Sequence, residues 1–425
     1  MNLLLKAVKI IHPGSSLNGK TKDIFIKDGI IKKIADIVSE KETGKNCTVF
    51  NRKGSYVSIG WLDMKANFRD PGFEMKEDIF SGLTAAASGG FTGVVLMPST
   101  YPVIQTKSGI EYLINKSKDS LTDVFVTGAL SANCEGKDLT EMYDMKQAGA
   151  VAFTDDKNTV MDSGLMLRAL LYAKNIDSVV ISFADEKNIS GKHLMNESAN
   201  SIYFGIKGSP AIAEDMMVLR DLKLCEYTAA RIHFSTLSSA GSVELIRKAK
   251  KQGLPVTAEI CAHQVCFDDS ALKDYDTHFK VKPPFRTKDD IKALIKGLED
   301  DTIDVICSDH SPEDPEGKQV EFEYANYGIS GMETAFASAN TVLQNKISLE
   351  SIIKKFTVRP REILNIMVPE IKEGAKANLT IFDPEMEWTF EASTFKSKSK
   401  NTPFINHRFK GKALAVVNNR QWLEI

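Results

Sequence analysis

Several short segments place charged or polar side chains at spacings that could support chemistry. Lys65, Asn67 and Arg69 alternate along KANFR, Asp155 and Asp156 are adjacent in FTDDK, and Asp309, His310 and Glu313 lie in SDHSPE, while Ser99, Asn133 and His263 stand singly. A carboxylate can accept a proton in catalysis. A guanidinium can grip a carboxylate or phosphate through two parallel hydrogen bonds, and imidazole serves as proton carrier or metal ligand. The set is rich in carboxylates and cations, yet no HxH or HxxxH pair occurs anywhere in the chain. Spacing alone therefore gives no paired-histidine metal site. Each residue also has a plainer reading. Asp155 and Asp156 suit a turn or a cap, His263 and His310 suit hydrogen-bonded rim or core positions, and Arg69 could brace its own loop as well as hold an anion. Met64 and Met97 read as core filling.

The elements that must hold these residues can be read from the hydrophobic pattern. Eight short, nearly continuous apolar runs cover Tyr56–Met64, Gly93–Met97, Val124–Leu130, Ala150–Thr154, Ser178–Ala184, Arg231–Leu237, Pro255–Cys261 and Thr302–Cys307. Such runs mark strands covered on both faces. Helical stretches follow most of them, including KEDIFSGLTAAAS, GLMLRALLYAK, PAIAEDMMVLRDLKLCEYTA, SVELIRKAKKQ and KDDIKALIKGLE. Eight βα units predict an α/β fold of the closed (β/α)8 TIM-like barrel type rather than an open sheet. In a barrel, functional groups collect at the carboxyl ends of the strands. Those ends supply Lys65, Asn67 and Arg69; Ser99; Asn133; Asp155 and Asp156; Phe183; Thr236; His263; and Asp309, His310 and Glu313.

The two ends of the chain have a different texture. LLLKAVKII, DIFIKDG, IIKKIADI and NCTVF at the start, and ANLTIFD, EWTF and ALAVVNN at the finish, are strand-like pieces separated by turn residues. Each end alone has too few strands to bury a core, which predicts one small β-sandwich module built from both. The expected division is residues 1–55 and 368–425 for that module and 56–367 for the barrel.

Composition narrows the function classes. Of 425 residues, 54 are Lys or Arg and 56 Asp or Glu, giving a net charge of -2. That balance lacks the electrostatic footprint of a nucleic-acid or polybasic membrane binder. At 43% apolar content the chain is expected to be globular and soluble. The six cysteines are scattered with no CxxC pair, as expected of buried or idle thiols in a reducing compartment. The opening MNLLLKAVKI is broken by Lys6 and Lys9, and no apolar run approaches the ~18 residues of a spanning helix. The expected location is the cytoplasm.

Beyond these patterns, the chain resembles dihydroorotase, an amidohydrolase-superfamily family of pyrimidine synthesis. The stretch SIGWLDMKANFRDPGFEMKEDIFSGLTAAASGGFTGVVLMPST carries the likeness, with GAVAFTDD, HLMNES, GSPAIAEDMMVLRD, SSAGSVELIRKAK, VTAEICAH, KPPFR, TIDVICSDHSPED, and EGAKANLTIFD followed by SKSKNTPF. The departures matter as much as the match. The family's zinc-binding HxH pair reads here as Lys65-Ala66-Asn67, and its two further histidine ligands align with Phe183 and Thr236. Of the metal-binding set the resemblance implies, only carboxylates remain, one in the Asp155–Asp156 pair and Asp309, the last also being the family's catalytic base. The resemblance assigns substrate carboxylate binding to Arg69, which is kept. The supporting asparagines align with Ser99 and His278, and a histidine aligns with Glu313. A phenyl ring and an ammonium cannot coordinate zinc, so no metal cofactor is expected. A remodelled zinc site drawing on His263, His278, Asp309 and Glu313 is the alternative.

The resemblance implies a homodimer and a non-catalytic role docked on aspartate transcarbamoylase. The competing expectations are an active cyclic-amide hydrolase with an altered metal site, converting dihydroorotate to N-carbamoyl-aspartate, and a sensor in which Arg69 holds an anionic ligand without turnover. One geometric expectation accompanies the first: with metals gone, the facing carboxylates need a cation, and the Lys65 nitrogen should lie in ion-pair range of Asp309 or of the Asp155–Asp156 pair.

Overall fold

The structure, a computed structural model, describes residues 1–44 and 46–425. Its first strands follow the alternation of the opening residues. β1 (Asn2–Ile11) pairs antiparallel with β2 (Thr21–Lys27), and β2 pairs antiparallel with β3 (Ile30–Ala35). β4 (Thr48–Phe50) and β5 (Tyr56–Ile59) both run parallel to β1. The run read as the first barrel strand from Tyr56 onward therefore divides, and only its second part enters the barrel. The break falls at Gly60, where a Cβ would sit 1.9 Å from both Asn378 Oδ1 and Thr92 Oγ1. Only glycine permits that approach of backbone to side chains.

The barrel strands are β6 (Trp61–Ala66), β7 (Phe91–Leu96), β8 (Asp123–Ala129), β9 (Ala150–Thr154) and β10 (Val180–Phe183). After a two-strand excursion of β11 (Met195–Asn196) and β12 (Gly208–Ser209), the barrel continues with β13 (Ile232–Ser235), β14 (Val256–Cys261) and β15 (Val305–Cys307). All eight run parallel in chain order from β6 to β15. Hydrogen bonds between the β6 and β15 ends close the seam between last and first, two of them from backbone amides. The Asn67 amide donates to the His310 carbonyl at 2.8 Å, and the Ser308 amide donates to Asp63 Oδ1 at 2.8 Å. The expected α/β barrel is the observed one. Helices Ile79–Ser88, Ser163–Asn175, Ile212–Thr228, Ala240–Lys251 and Lys288–Glu299 match the five helical stretches read from sequence.

Alternation along the strands builds two apolar layers. Val94, Phe153, Val180, Ile232 and Ile260 pack outward with helix residues such as Leu170, Ile246 and Leu294. Their strand neighbours Val95, Ala152 and Ile181 join Leu62, Met64 and Val305 in a separate cluster that includes Ile363 and Leu364.

The chain ends complete the other sheet. β16 (Leu379–Thr389), β17 (Arg408–Asn418) and β18 (Gln421–Glu424) extend it in the order β18-β17-β16-β5-β1-β2-β3, with β4 also on β1. ANLTIFD and EWTF, read as separate strands, form one strand whose pairing with β17 breaks between Asp383 and Glu387. No helix among the described residues is long and apolar enough to cross a membrane.

Trp61 ties the sheet to the barrel. Its amide donates to Thr380 Oγ1 at 3.2 Å and its indole N–H to Ser58 Oγ at 3.0 Å. Its ring lies 4.5 Å from that of Phe336 and 5.4 Å from that of Phe382. Replacing it empties a fully buried position shared by both units. Trp61→Ala is expected to cost about 3–5 kcal/mol, read as a lowered midpoint in urea unfolding.

Candidate functional site

The first, second and fourth barrel strands deliver one charged cluster of the mouth. Lys65, near the end of β6, donates from Nζ to Asp156 Oδ1 at 2.7 Å, although the two residues are only 1% and 5% exposed. Ser99, in the loop after β7, donates to Asp156 Oδ2 at 2.6 Å and lies 3.0 Å from Asn67 Oδ1. Burial alone would raise the Asp156 carboxyl, but the charges of Lys65 and Lys157 and the hydrogen bonds from Lys65 and Ser99 outweigh it and hold it down to about 2. Burial alone would lower Lys65; the nearby charges of Asp156, Asp309 and Glu259 instead push it above the usual lysine range. The geometric expectation for Lys65 is met by Asp156.

Two further ion pairs occupy the same face. Lys157, directly after the Asp pair, donates to Asp309 Oδ2 at 2.7 Å. Arg69 donates to Glu313 Oε1 at 2.7 Å and to the Pro312 carbonyl at 3.0 Å, while Lys76 donates to Glu313 Oε2 at 2.6 Å. The guanidinium that could have gripped an external anion is thus engaged by a carboxylate of its own chain.

The turns that present these groups are sharp. Arg69, Asp156, Thr236 and Asp309 all have left-handed backbone, with φ of 59°, 52°, 51° and 49°. For a β-branched residue such as Thr236 this conformation is a genuine outlier. Strain of this kind persists only where surrounding structure enforces it.

The remaining residues singled out from sequence divide clearly. Asp155 accepts from the Ser131 amide at 2.8 Å and from the Ser131 hydroxyl, so it pins the loop after β8. Burial raises its carboxyl above the ordinary value, partly offset by those hydrogen bonds. Phe183 ends β10 beneath the Lys282 ammonium, 5.3 Å from its ring centroid. Thr236 is buried, and its hydroxyl has no hydrogen-bond partner among the described residues. Asn133 is exposed and accepts from Gln105 at 3.2 Å. His310 accepts at Nδ1 from the Met332 amide at 3.4 Å, with Nε2 3.5 Å from Glu77. His263 is buried, and desolvation lowers its imidazole to about 4.

His278 is not brought into this group. It sits on a short turn, Thr277–Phe279, with its ring bonded to Asp276 at 2.7 Å. The quartet His263, His278, Asp309 and Glu313, weighed above as a remodelled metal site, is therefore not assembled. His278 binds within its own turn, and Glu313 is consumed by Arg69 and Lys76. Sequence reasoning missed Lys157 and Lys76. Lys157 was within reach, since it directly follows the two aspartates at a strand end. A cavity of about 400 Å³ opens beside the mouth, lined by Phe183, Asp185, Lys280, Lys282, Arg286 and Tyr327 among others. Lys65, Arg69, Ser99, Asp156 and Asp309 do not line it.

Removing one member of the buried pair leaves an uncompensated charge. Lys65→Met is expected to cost about 3–5 kcal/mol, with much of the loss recovered in Lys65→Met/Asp156→Leu, both measured by urea unfolding. The pH dependence follows from the depressed Asp156 carboxyl, whose ordinary value is 3.8. Its contribution is fully present above that value and is lost as pH falls toward about 2. Acid titration of stability should therefore show a downward slope between pH 4 and pH 2 that is reduced in Asp156→Asn; an unchanged slope would refute the assignment.

Comparison with known proteins identifies the family. Residues 54–242 match the sequence profile of the family described as Dihydro-orotase-like. The chain is 41% identical over 419 residues to the dihydroorotase of Syntrophus aciditrophicus (strain SB), covering 98% of both proteins. It is 42% identical over 407 residues to that of Ruminiclostridium cellulolyticum, covering 95% of this chain and 94% of the relative. Among solved structures, the L-hydantoinase (dihydropyrimidinase) of Arthrobacter aurescens superposes with a TM-score of 0.86 at 21% identity, over 100% of this chain and 96% of that one. That likeness is one of fold, whereas the full-length identity to the dihydroorotases is one of descent: the chain belongs to the dihydroorotase-like family.

Proposed function

We propose that this chain is a dihydroorotase-family protein of pyrimidine biosynthesis that does not open the ring and instead acts as a cytoplasmic scaffold or regulator of aspartate transcarbamoylase, as a homodimer. The observation that carries the reading is the Lys65–Asp156 ion pair at 2.7 Å, with Lys157–Asp309 at 2.7 Å beside it. In the family chemistry implied by resemblance, a metal polarises the ring amide and lowers the pKa of bound water toward about 7. The residues present do not fit that centre. Lys65 and Phe183 have no lone pair to offer, Asn67 is bonded to Ser99, and an ammonium lies against each of the carboxylates Asp156 and Asp309. Without the metal pair that the family chemistry implies, Asp309 lacks the water-activating partner it would have in that mechanism. Substrate capture is weakened as well, because Glu313 meets Arg69 where an anionic substrate would.

The active-hydrolase reading draws on the retained Arg69 and Asp309 and on relatives named dihydroorotase. A single set of measurements separates the two. Dihydroorotate incubated with the purified protein, with and without added zinc, is expected to turn over no faster than in buffer. On gel filtration the protein is expected to co-elute with the aspartate transcarbamoylase of its own genome. Turnover that disappears in Asp309→Asn would establish the hydrolase instead, and independent elution of the two proteins would remove the scaffold role.

A further inference from the structure

At the carboxyl ends of β14 and β15, three side chains of a different character converge. Cys261 ends β14, His263 follows two residues later, and Asp309 follows β15; one ligand atom from each lies within 4.8 Å of the others. Strand pairing creates the juxtaposition, because Cys261 is in register with Cys307, two residues before Asp309. The three residues are at most 2% exposed. His263 Nε2 and Asp309 Oδ1 have no hydrogen-bond partner among the described residues. Buried polar atoms left unpaired are costly, and native structures rarely tolerate them without a reason. Both side chains are nevertheless fixed. Lys157 holds Asp309 by its other oxygen, Oδ2, and the His263 ring packs edge-on to Phe285 with centroids 5.7 Å apart.

We propose that Cys261, His263 and Asp309 bind one zinc ion. Thiolate, imidazole and carboxylate are the three donor types zinc takes, and three protein ligands leave a fourth tetrahedral position for water. Zinc–ligand bonds of about 2.0–2.3 Å set tetrahedral ligand atoms roughly 3.3–3.7 Å apart, so binding would hold the three atoms well inside the 4.8 Å within which they already lie. On binding, the Cys261 thiol releases its proton to solvent as the zinc–sulfur bond forms. The thiolate and the carboxylate then balance the dication. Lys157 stays on Oδ2 as an outer partner that orients the carboxylate. The site shares Asp309 with the centre the family resemblance implies but otherwise differs from it, since it uses the Cys261 thiol and His263 and none of the strand ends at Lys65, Phe183 or Thr236. It does not rebuild the family's centre, because Lys65 and Phe183 still offer no ligand atoms, and its zinc content is measured apart from the turnover of dihydroorotate that tests the non-catalytic reading.

The test uses the full-length protein stripped with a chelator, re-equilibrated with Zn(II) or Co(II) alone, and desalted. One zinc per chain by elemental analysis is expected, and the cobalt form should show a near-ultraviolet thiolate-to-cobalt charge-transfer band. Cys261→Ser and His263→Ala should each lower retained zinc at least tenfold, and Cys261→Ser should abolish the band. The wild-type cobalt spectrum decides the matter even if a variant fails to fold: retained cobalt without a thiolate band overturns the proposal. No retained metal overturns it too, while leaving the non-catalytic reading intact. Two zinc ions per chain with no thiolate band would overturn both.

Discussion

Neutralising negative charge inside a nearly dry barrel mouth is the constraint to which the rest of this face answers. Asp63, Asp156, Glu259, Asp309 and Glu313 are all buried, and an ionised carboxylate removed from water without a partner costs several kcal/mol. Each has been given company. Lys65 and Lys157 serve Asp156 and Asp309, Arg69 and Lys76 share Glu313, Ser308 donates to Asp63, and Ser235 and His233 attend Glu259. These pairings fix the loops after β6, β9 and β15 to one another across the mouth, so the charge pattern and the shape of the rim form one problem.

The choice of cation determines what such a mouth can do. A divalent ion accepts electron pairs from its ligands and leaves a position open for water or substrate. An ammonium offers only donors. It satisfies the same carboxylates electrostatically but turns their lone pairs inward, onto a group that cannot polarise a carbonyl. Under the proposed non-catalytic reading, lysines keep the rim carboxylates neutralised and the rim in shape through ion pairs. The rim backbone makes tight left-handed turns at Arg69, Asp156, Thr236 and Asp309, and ion pairs of Arg69, Asp156 and Asp309 hold three of them in place.

How far the sequence could be read depended on range. The βα rhythm was visible because each barrel strand is a short apolar run flanked by polar helix starts, and the strand-end rule then placed Lys65, Ser99, Asp156, Asp309 and Glu313 on one rim. The resemblance, with its metals lost, pointed Lys65 to Asp309 or the Asp155–Asp156 pair, and of these Asp156 takes its hydrogen bond. Three things were hidden. The division at Gly60 depends on a close approach by Asn378 and Thr92, which no local pattern announces. His278 occupies an expected rim position by alignment but prefers the carboxylate two residues before it, a local hydrogen bond that competes with any long-range role. The meeting of Cys261 with Asp309 arises from strand register, and register is a property of the sheet rather than of either segment.

The small sheet has a consequence for how the chain is made. β5 has β1 on one side and β16 on the other, and β16 emerges from the ribosome only after the whole barrel. At about 5–20 residues per second, the free edge of β5 and the Trp61 amide beside it wait on the order of tens of seconds for Thr380 and its neighbours. An uncovered strand edge recruits other strands. The nascent chain therefore passes through an interval in which its barrel can be complete while its first sheet remains open to intermolecular pairing, and shielding by a chaperone matters most there.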